Sequence, residues 1–182
     1  MLNTIVVHVE NKPGVLNRVA SLCRRRAFNI ESLSVGHTER ADVSRMTIVV
    51  EVPEGTAPRL VANLYKLVNV LGVEDITSAA AVSRSLAMIK VNAPPDSRPY
   101  LLQLLQVFRA RVVDLTSVSL IVEVTGTEEK IDGLVDVLRP FGILEMARTG
   151  RVAMLRGRPR ATAGSVALDT ETAGDEEISY SV

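Results

Sequence analysis

The order of apolar patterns in the first half of the chain constrains the fold more than any other feature, because the second half repeats it. Residues 3–10 give a short β-branched run, Thr4-Ile5-Val6-Val7-His8-Val9. Val15, Leu16, Val19, Ala20, Leu22 and Cys23 then fall on one helical face. Arg24, Arg25 and Arg26 end that helix, where positive charge suits the C-terminal dipole. A second strand is expected over 30–38. In a third, Met46, Ile48, Val50 and Val52 alternate with Arg45, Thr47 and Glu51, as in a sheet with one buried face. Leu60, Val61, Leu64, Leu67 and Val68 mark a second helix, opened by Thr56 and Pro58. A fourth strand is expected around 70–81, which makes the order βαββαβ.

Leu86–Val91 reads as the strand that starts the second copy. Asp96 is placed to cap a helix carrying Leu101, Leu102, Leu104, Leu105 and Phe108. Arg111–Thr116 and Ser119–Val124 read as a strand pair. Thr127 precedes a helix with Ile131, Leu134, Val135 and Leu138, stopped at Pro140. Ile143–Arg148 is the last main strand, with Val152–Leu155 a short extension. The expected fold class is α+β, with two tandem ferredoxin-like βαββαβ domains, each an antiparallel sheet with helices on one face. The expected divisions are 1–83, 84–157 and a tail, 158–182. The boundary is expected at the short polar patch Ser83–Ser85. The tail has no apolar period and carries Asp175-Glu176-Glu177, a composition that predicts disorder.

Composition then excludes several classes of function. Lys+Arg and Asp+Glu stand at 21 each in 182 residues, so no bulk field draws the chain to nucleic acid or an anionic membrane. Aromatic residues make up 3%, too few for a surface that stacks on bases. The N-terminus lacks a secretory pattern and no apolar run approaches a membrane span, which predicts a cytoplasmic protein. The one cysteine, Cys23, lies on an apolar helical face and reads as a buried, inert thiol. His8 and His37 have no metal-ligand spacing, and no nucleophile elbow, phosphate loop or dinucleotide fingerprint is present. No catalytic or metal-binding residue is therefore assigned.

The stretch Glu10-Asn11-Lys12-Pro13-Gly14-Val15-Leu16 stands apart. Pro-Gly is ordinary turn punctuation. It is equally the start of a helix whose free N–H groups, at Gly14, Val15 and Leu16, suit a carboxylate. Asn11 offers a neutral amide able to accept from an ammonium group and donate to a carboxylate, as a zwitterionic amino acid requires.

The pattern strand–Asn11-x-Pro13-Gly14-Val15-Leu16–helix in a βαββαβ unit resembles the ACT domain, a family of amino-acid-sensing modules. "NIESLSVG" at 29–36, "SRMTIVV" at 44–50, "KLVNVLGVEDI" at 66–76 and "AMIKVNAP" at 87–94 resemble the regulatory (small) subunit of acetolactate synthase, or acetohydroxyacid synthase. Residues 108–157 are similar to that family's C-terminal domain. The resemblance implies a non-catalytic subunit. It would activate a separate large subunit and confer feedback inhibition by valine or a related branched-chain amino acid. Thiamine diphosphate, Mg²⁺ and FAD are then expected in the catalytic partner and not in this chain. The resemblance also implies a homodimer through the ACT domains, with the effector between them. Asn11, Gly14, Val15 and Leu16 of one protomer would face Asn29 and Ile30 of the other. Two other readings stay open on the residues: a free-standing amino-acid sensor acting on another target, and a small enzyme of ferredoxin-like fold.

Overall fold

The computed structural model describes residues 1–157; the tail expected at 158–182 lies outside the described residues. The first repeat runs β1 (Leu2–Glu10), α1 (Val15–Arg25), β2 (Asn29–His37), β3 (Val43–Glu51), α2 (Ala57–Tyr65) and β4 (Val70–Asp75). Its antiparallel sheet has the order β2-β3-β1-β4. The second runs β5 (Ala81–Asn92), α3 (Arg98–Val107), β6 (Arg111–Leu115), β7 (Ser119–Gly126), α4 (Glu128–Leu138) and β8 (Ile143–Arg148), with β9 (Val152–Leu155) behind it. Its sheet has the same antiparallel order, β6-β7-β5-β8. The fold is α+β with two ferredoxin-like repeats, as the pattern predicts.

Each repeat has its own apolar centre on the helix side of its sheet. In the first, alternate residues of β1 and β3 (Ile5, Val7, Met46, Ile48, Val50) meet Val15, Val19, Leu22, Cys23, Leu60 and Leu64 from the helices. Leu60 and Leu64 are almost completely buried, each worth about 1.5–3 kcal/mol by area. In the second, Ile89, Val91, Leu120 and Val122 meet Leu101, Leu105, Ile131, Leu134 and Leu138.

Several expectations change in detail. Leu16 is 43% exposed, because the buried stripe of α1 is Val15, Val19, Leu22 and Cys23, and Leu16 lies one residue, about 100°, round the helix. α2 stops at Tyr65, where Lys66 and Leu67 donate to Asn63 and Leu64 in tighter turns; Val68 is outside the helix and 90% exposed. Asp96 does not cap α3. The N-cap position is Ser97, whose hydroxyl turns back to the Pro94 carbonyl at 3.2 Å. Thr127 does cap α4, accepting from the Lys130 amide at 3.4 Å. β4 ends at Asp75, and the chain turns before β5 begins.

The polar patch Ser83–Ser85 lies inside one long strand. β5 pairs with β9 over Ala81–Arg84 and with β7 from Ser85 onward, so the two partnerships meet in that patch. The β5–β9 ribbon covers the face of the first sheet that carries no helices. Val6, Ile76 and Ala153 are buried there with Ala81 and Leu155 against them, and Arg45 donates to the Ala153 carbonyl at 2.6 Å.

Candidate functional site

The end of β1 is held by its own backbone. The Asn11 amide donates to the Asp42 carbonyl at 2.7 Å, tying β1 to the β2–β3 loop. Pro13 and Gly14 then form a turn closed by the Val15 amide on the Lys12 carbonyl at 3.4 Å. Gly14 has φ 81° and ψ −7°, the third position of a type II turn, which a Cβ disfavours. The helix begins on that glycine: the Arg18 amide donates to the Gly14 carbonyl at 3.1 Å.

This geometry sorts the expected donors. The Val15 amide is partly spent on the turn, through a long bond. The amides of Gly14 and Leu16 have no partner among the described residues and lie at the positive end of α1. A Cβ built on Gly14 meets nothing within 4 Å, so the space beside the turn is open. The flank is mixed in charge. Lys12 pairs with Glu10 at 3.2 Å, and Asn69 donates to the same carboxylate at 2.5 Å. The Asn69 and Lys12 hydrogen bonds hold the Glu10 carboxyl below its ordinary range. Arg18 donates to the side chain of Asn69.

The Asn11 side chain is more committed than its sequence position suggests. Its Nδ2 donates to the Ala41 carbonyl at 3.0 Å and lies 3.4 Å from His37 Nδ1. Its Oδ1 has no partner among the described residues. His37 and Ala41, neither singled out in the sequence, therefore position Asn11. Only the apposition of β2's end and the loop after it could have revealed them.

Asn29 and Ile30 lie elsewhere. They start β2, paired with Glu51 and Val50, and Asn29 donates to Glu31 at 3.1 Å. Ile30 is partly buried against the first core. His37 is at the opposite end of β2, eight residues or about 26 Å along an extended strand. One chain therefore does not bring Asn29 to Asn11. β2 is an edge strand, and its outer side pairs with nothing among the described residues.

The second repeat shows the same corner filled from within. The Ala93 amide donates to the Val118 carbonyl at 2.7 Å, the counterpart of the Asn11–Asp42 bond. The edge-strand bulges match as well, between Ile30 and Ser32 in β2 and between Val112 and Asp114 in β6. Ala93 stands where the first repeat has Asn11. Arg98 Nη2 fills the space, donating to the carbonyls of Thr116 (2.9 Å), Ala93 (3.0 Å) and Ser117 (3.0 Å).

The remaining reactive groups sit away from this corner. Cys23 is buried and its thiol is pushed up by burial, as expected of an inert core residue. Among the described residues, no group of three or more His, Cys, Asp or Glu side chains is placed to hold a metal ion. No helix of the described residues is long and apolar enough to cross a membrane.

Comparison with known proteins decides the family. A family profile described as an AHAS small subunit-like ACT domain matches residues 5–72, and one described as the small subunit of acetolactate synthase matches 84–157. The chain belongs to the acetolactate synthase small-subunit family. It is 52% identical over 160 residues to a probable acetolactate synthase small subunit of Archaeoglobus fulgidus, covering 88% of this chain and all of that one. It is 48% identical to the acetolactate synthase small subunit of Mycolicibacterium smegmatis, over 85% of this chain and 91% of the relative. The crystal structure of the small subunit from Thermotoga maritima superposes with a TM-score of 0.80 at 35% identity, over 87% of this chain and 99% of that one. Members of this family are the non-catalytic subunits of an enzyme whose chemistry resides in a separate catalytic subunit.

Proposed function

We propose that this chain activates the catalytic subunit of acetolactate synthase and makes it subject to feedback inhibition by valine or another branched-chain amino acid. The observation that carries this reading is the division of the candidate site between the two ends of an edge strand. Pairing β2 antiparallel with its copy across a two-fold axis would bring the Asn29–Ile30 end of one strand to the Asn11 end of the other. The same pairing satisfies the backbone groups that β2 leaves open. The effector's carboxylate would take the Gly14 and Leu16 amides, with Val15 contributing weakly. Its ammonium group would take Asn11 Oδ1, and Asn29 and Ile30 of the second protomer would close the polar and aliphatic sides.

Burying an isopropyl group at such a seam is worth about 2.4 kcal/mol, from three carbons at ~0.8 each, or roughly 60-fold over glycine. Valine and leucine differ by one methylene, about 1–3 kcal/mol. A ligand bound by both protomers biases their arrangement, and that bias is the signal sent to the catalytic subunit. In this reading the repeat 1–83 senses and the repeat 84–157 helps engage the catalytic subunit, in the cytoplasm. Thiamine diphosphate, Mg²⁺ and FAD belong to the partner.

The test is a valine titration of the mixed subunits. The isolated chain is expected to make no acetolactate, to raise the rate of the catalytic subunit when added, and to render that rate sensitive to valine. Turnover by the isolated chain, or a mixed enzyme indifferent to all three branched-chain amino acids, would overturn the reading.

A further inference from the structure

The first repeat's edge strand is also gripped from behind, by the turn between β8 and β9. Gly150 packs so closely on β2 that a Cβ there would be driven into the Leu33 carbonyl and the Ser32 side chain. The next residue, Arg151, makes three bonds to three different elements. Its amide donates to Ser32 Oγ at 2.9 Å, and its Nη1 donates to Thr4 Oγ1 on β1 at 3.2 Å. Its Nη2 pairs with Glu128 Oε2 at 2.5 Å, in the first turn of α4. Arg148 pairs with Asp132, one turn further along the same helix, at 2.6 Å. Gly150, Arg151, Arg148, Glu128 and Asp132 line a cavity of about 600 Å³ between the repeats, together with residues of the first repeat that include Ser32, Leu33, Val49 and Glu51.

The position of the grip on β2 is what matters. Ser32 and Leu33 follow directly on the bulge at Glu31, and Ile30 and Asn29 precede it. A bulge leaves one residue out of the ladder and bends the strand locally. The strand is thus bent at Glu31 and fixed just beyond it. A shift of Asn29–Ile30 would be transmitted to the packed Gly150 backbone, which has no slack, and through Arg151 to the start of α4.

We propose that the Gly150–Arg151 turn is the joint through which effector occupancy at the β2 edge reaches the second repeat, with Arg151 as a positioning residue that touches no ligand. This inference rests on the proposed effector site. Rigid packed elements carry such a signal because they switch between discrete arrangements and do not deform continuously.

The test uses the full chain assembled with its catalytic subunit and three variants: Arg151→Met, Glu128→Gln and Gly150→Ala. Valine affinity is measured by calorimetry and the depth of inhibition by activity at saturating valine. The joint predicts affinity within about twofold of the unaltered complex. It also predicts at least about a fivefold loss in the ratio by which valine changes the rate, the lower end of usual coupling strengths. Arg151→Met and Glu128→Gln combined should lose no more coupling than Arg151→Met alone, because the bond to Glu128 that the second change weakens is already gone in the first. Glu128→Gln keeps the shape of the helix start, so it remains informative should the glycine variant fold poorly. Full-depth inhibition in both Arg151→Met and Glu128→Gln would overturn the proposal. So would a fall in affinity that tracks the fall in inhibition, since Arg151 would then be part of the ligand site. Absence of valine binding by the unaltered complex would instead overturn the effector site itself, and the joint with it.

Discussion

The side-chain amide of Asn11 donates to the backbone carbonyl of Ala41 at 3.0 Å, so the residue at the end of β1 is latched to the loop that follows β2. That latch fixes which face of the amide is left for a ligand. Asn11→Ala removes both the latch and the Oδ1 acceptor. A net hydrogen bond is worth about 0.5–1.5 kcal/mol, so valine affinity should fall about tenfold at most for each bond lost. The residue is exposed, and global stability should change by less than about 1 kcal/mol. Asn11→Asp keeps the acceptor that faces the ammonium group and loses only the donor to Ala41. It should bind valine more tightly than Asn11→Ala. Calorimetry of the three proteins with valine checks the order; an aspartate variant that binds no better than the alanine variant would show that no ammonium group lies at this position.

Gly14 separates backbone strain from ligand contact. Its φ of 81° is left-handed, and the space beside it is open. Gly14→Ala therefore meets no clash and should cost only the conformational penalty, about 1–2 kcal/mol, read as a lower urea midpoint. Asparagine tolerates this region better, so Gly14→Asn should lose less. Gly14→Asp should add to the strain a sharp loss of valine affinity through charge repulsion. Equal affinity in the aspartate and asparagine variants would show that no carboxylate lies at this turn.

The topology was readable because each buried face declares itself by period. Met46, Ile48 and Val50 alternate in β3, and Val15, Val19, Leu22 and Cys23 recur along α1, in both cases because one side meets a core. What sequence could not supply were relations across the fold. Leu16 and Val68 are apolar and near the right spacing, yet one lies off the stripe and the other beyond the helix end, and composition does not mark either boundary. Asp96 and Ser97 are both good caps, and only backbone direction chooses between them. At the site, Asn11, Gly14 and Leu16 could be picked out because a turn chemistry surrounds them. Ala41 contributes only a carbonyl, which every residue has, and Gly150 only the absence of a Cβ. Their roles exist once β2 and the β8–β9 turn are side by side.

His8 gives the fold a pH dependence that is separate from the effector site. It is half-buried on β1, and burial, followed by the nearby Arg45 charge, lowers its pKa; Glu74 and Glu39 oppose the shift without cancelling it. The unfolded chain has the ordinary value of about 6.5, so it takes up the proton first as pH falls. The stability associated with neutral His8 is therefore complete above about pH 6.5 and is lost as pH drops through the lower folded value. Thermal unfolding at pH 7.5 and 5.5 should show a decline that His8→Gln reduces. A glutamine variant with the same decline would assign the effect to other groups.

Arg98 tests whether the second repeat could bind the same ligand. Its guanidinium occupies the corner that corresponds to Asn11, and it bridges three carbonyls, those of Ala93, Thr116 and Ser117. Ala93 is fully buried, so removing the donor leaves its carbonyl without solvent as a substitute. Arg98→Met should therefore destabilise the chain by about 1–3 kcal/mol, as expected when a charged donor is taken from one buried acceptor, that of Ala93, while the exposed Thr116 and Ser117 carbonyls turn to water. Arg98→Lys should recover part of this, since an ammonium group has three donors but lacks the planar reach of the guanidinium. Neither change creates the asparagine or the Pro-Gly turn that the first repeat has, so the number of valines bound per chain should stay as in the parent. Urea unfolding and calorimetric stoichiometry together check this. Unchanged stability in Arg98→Met would deny the bridge its structural role, and additional bound valine would show that Arg98 had been blocking a competent second site.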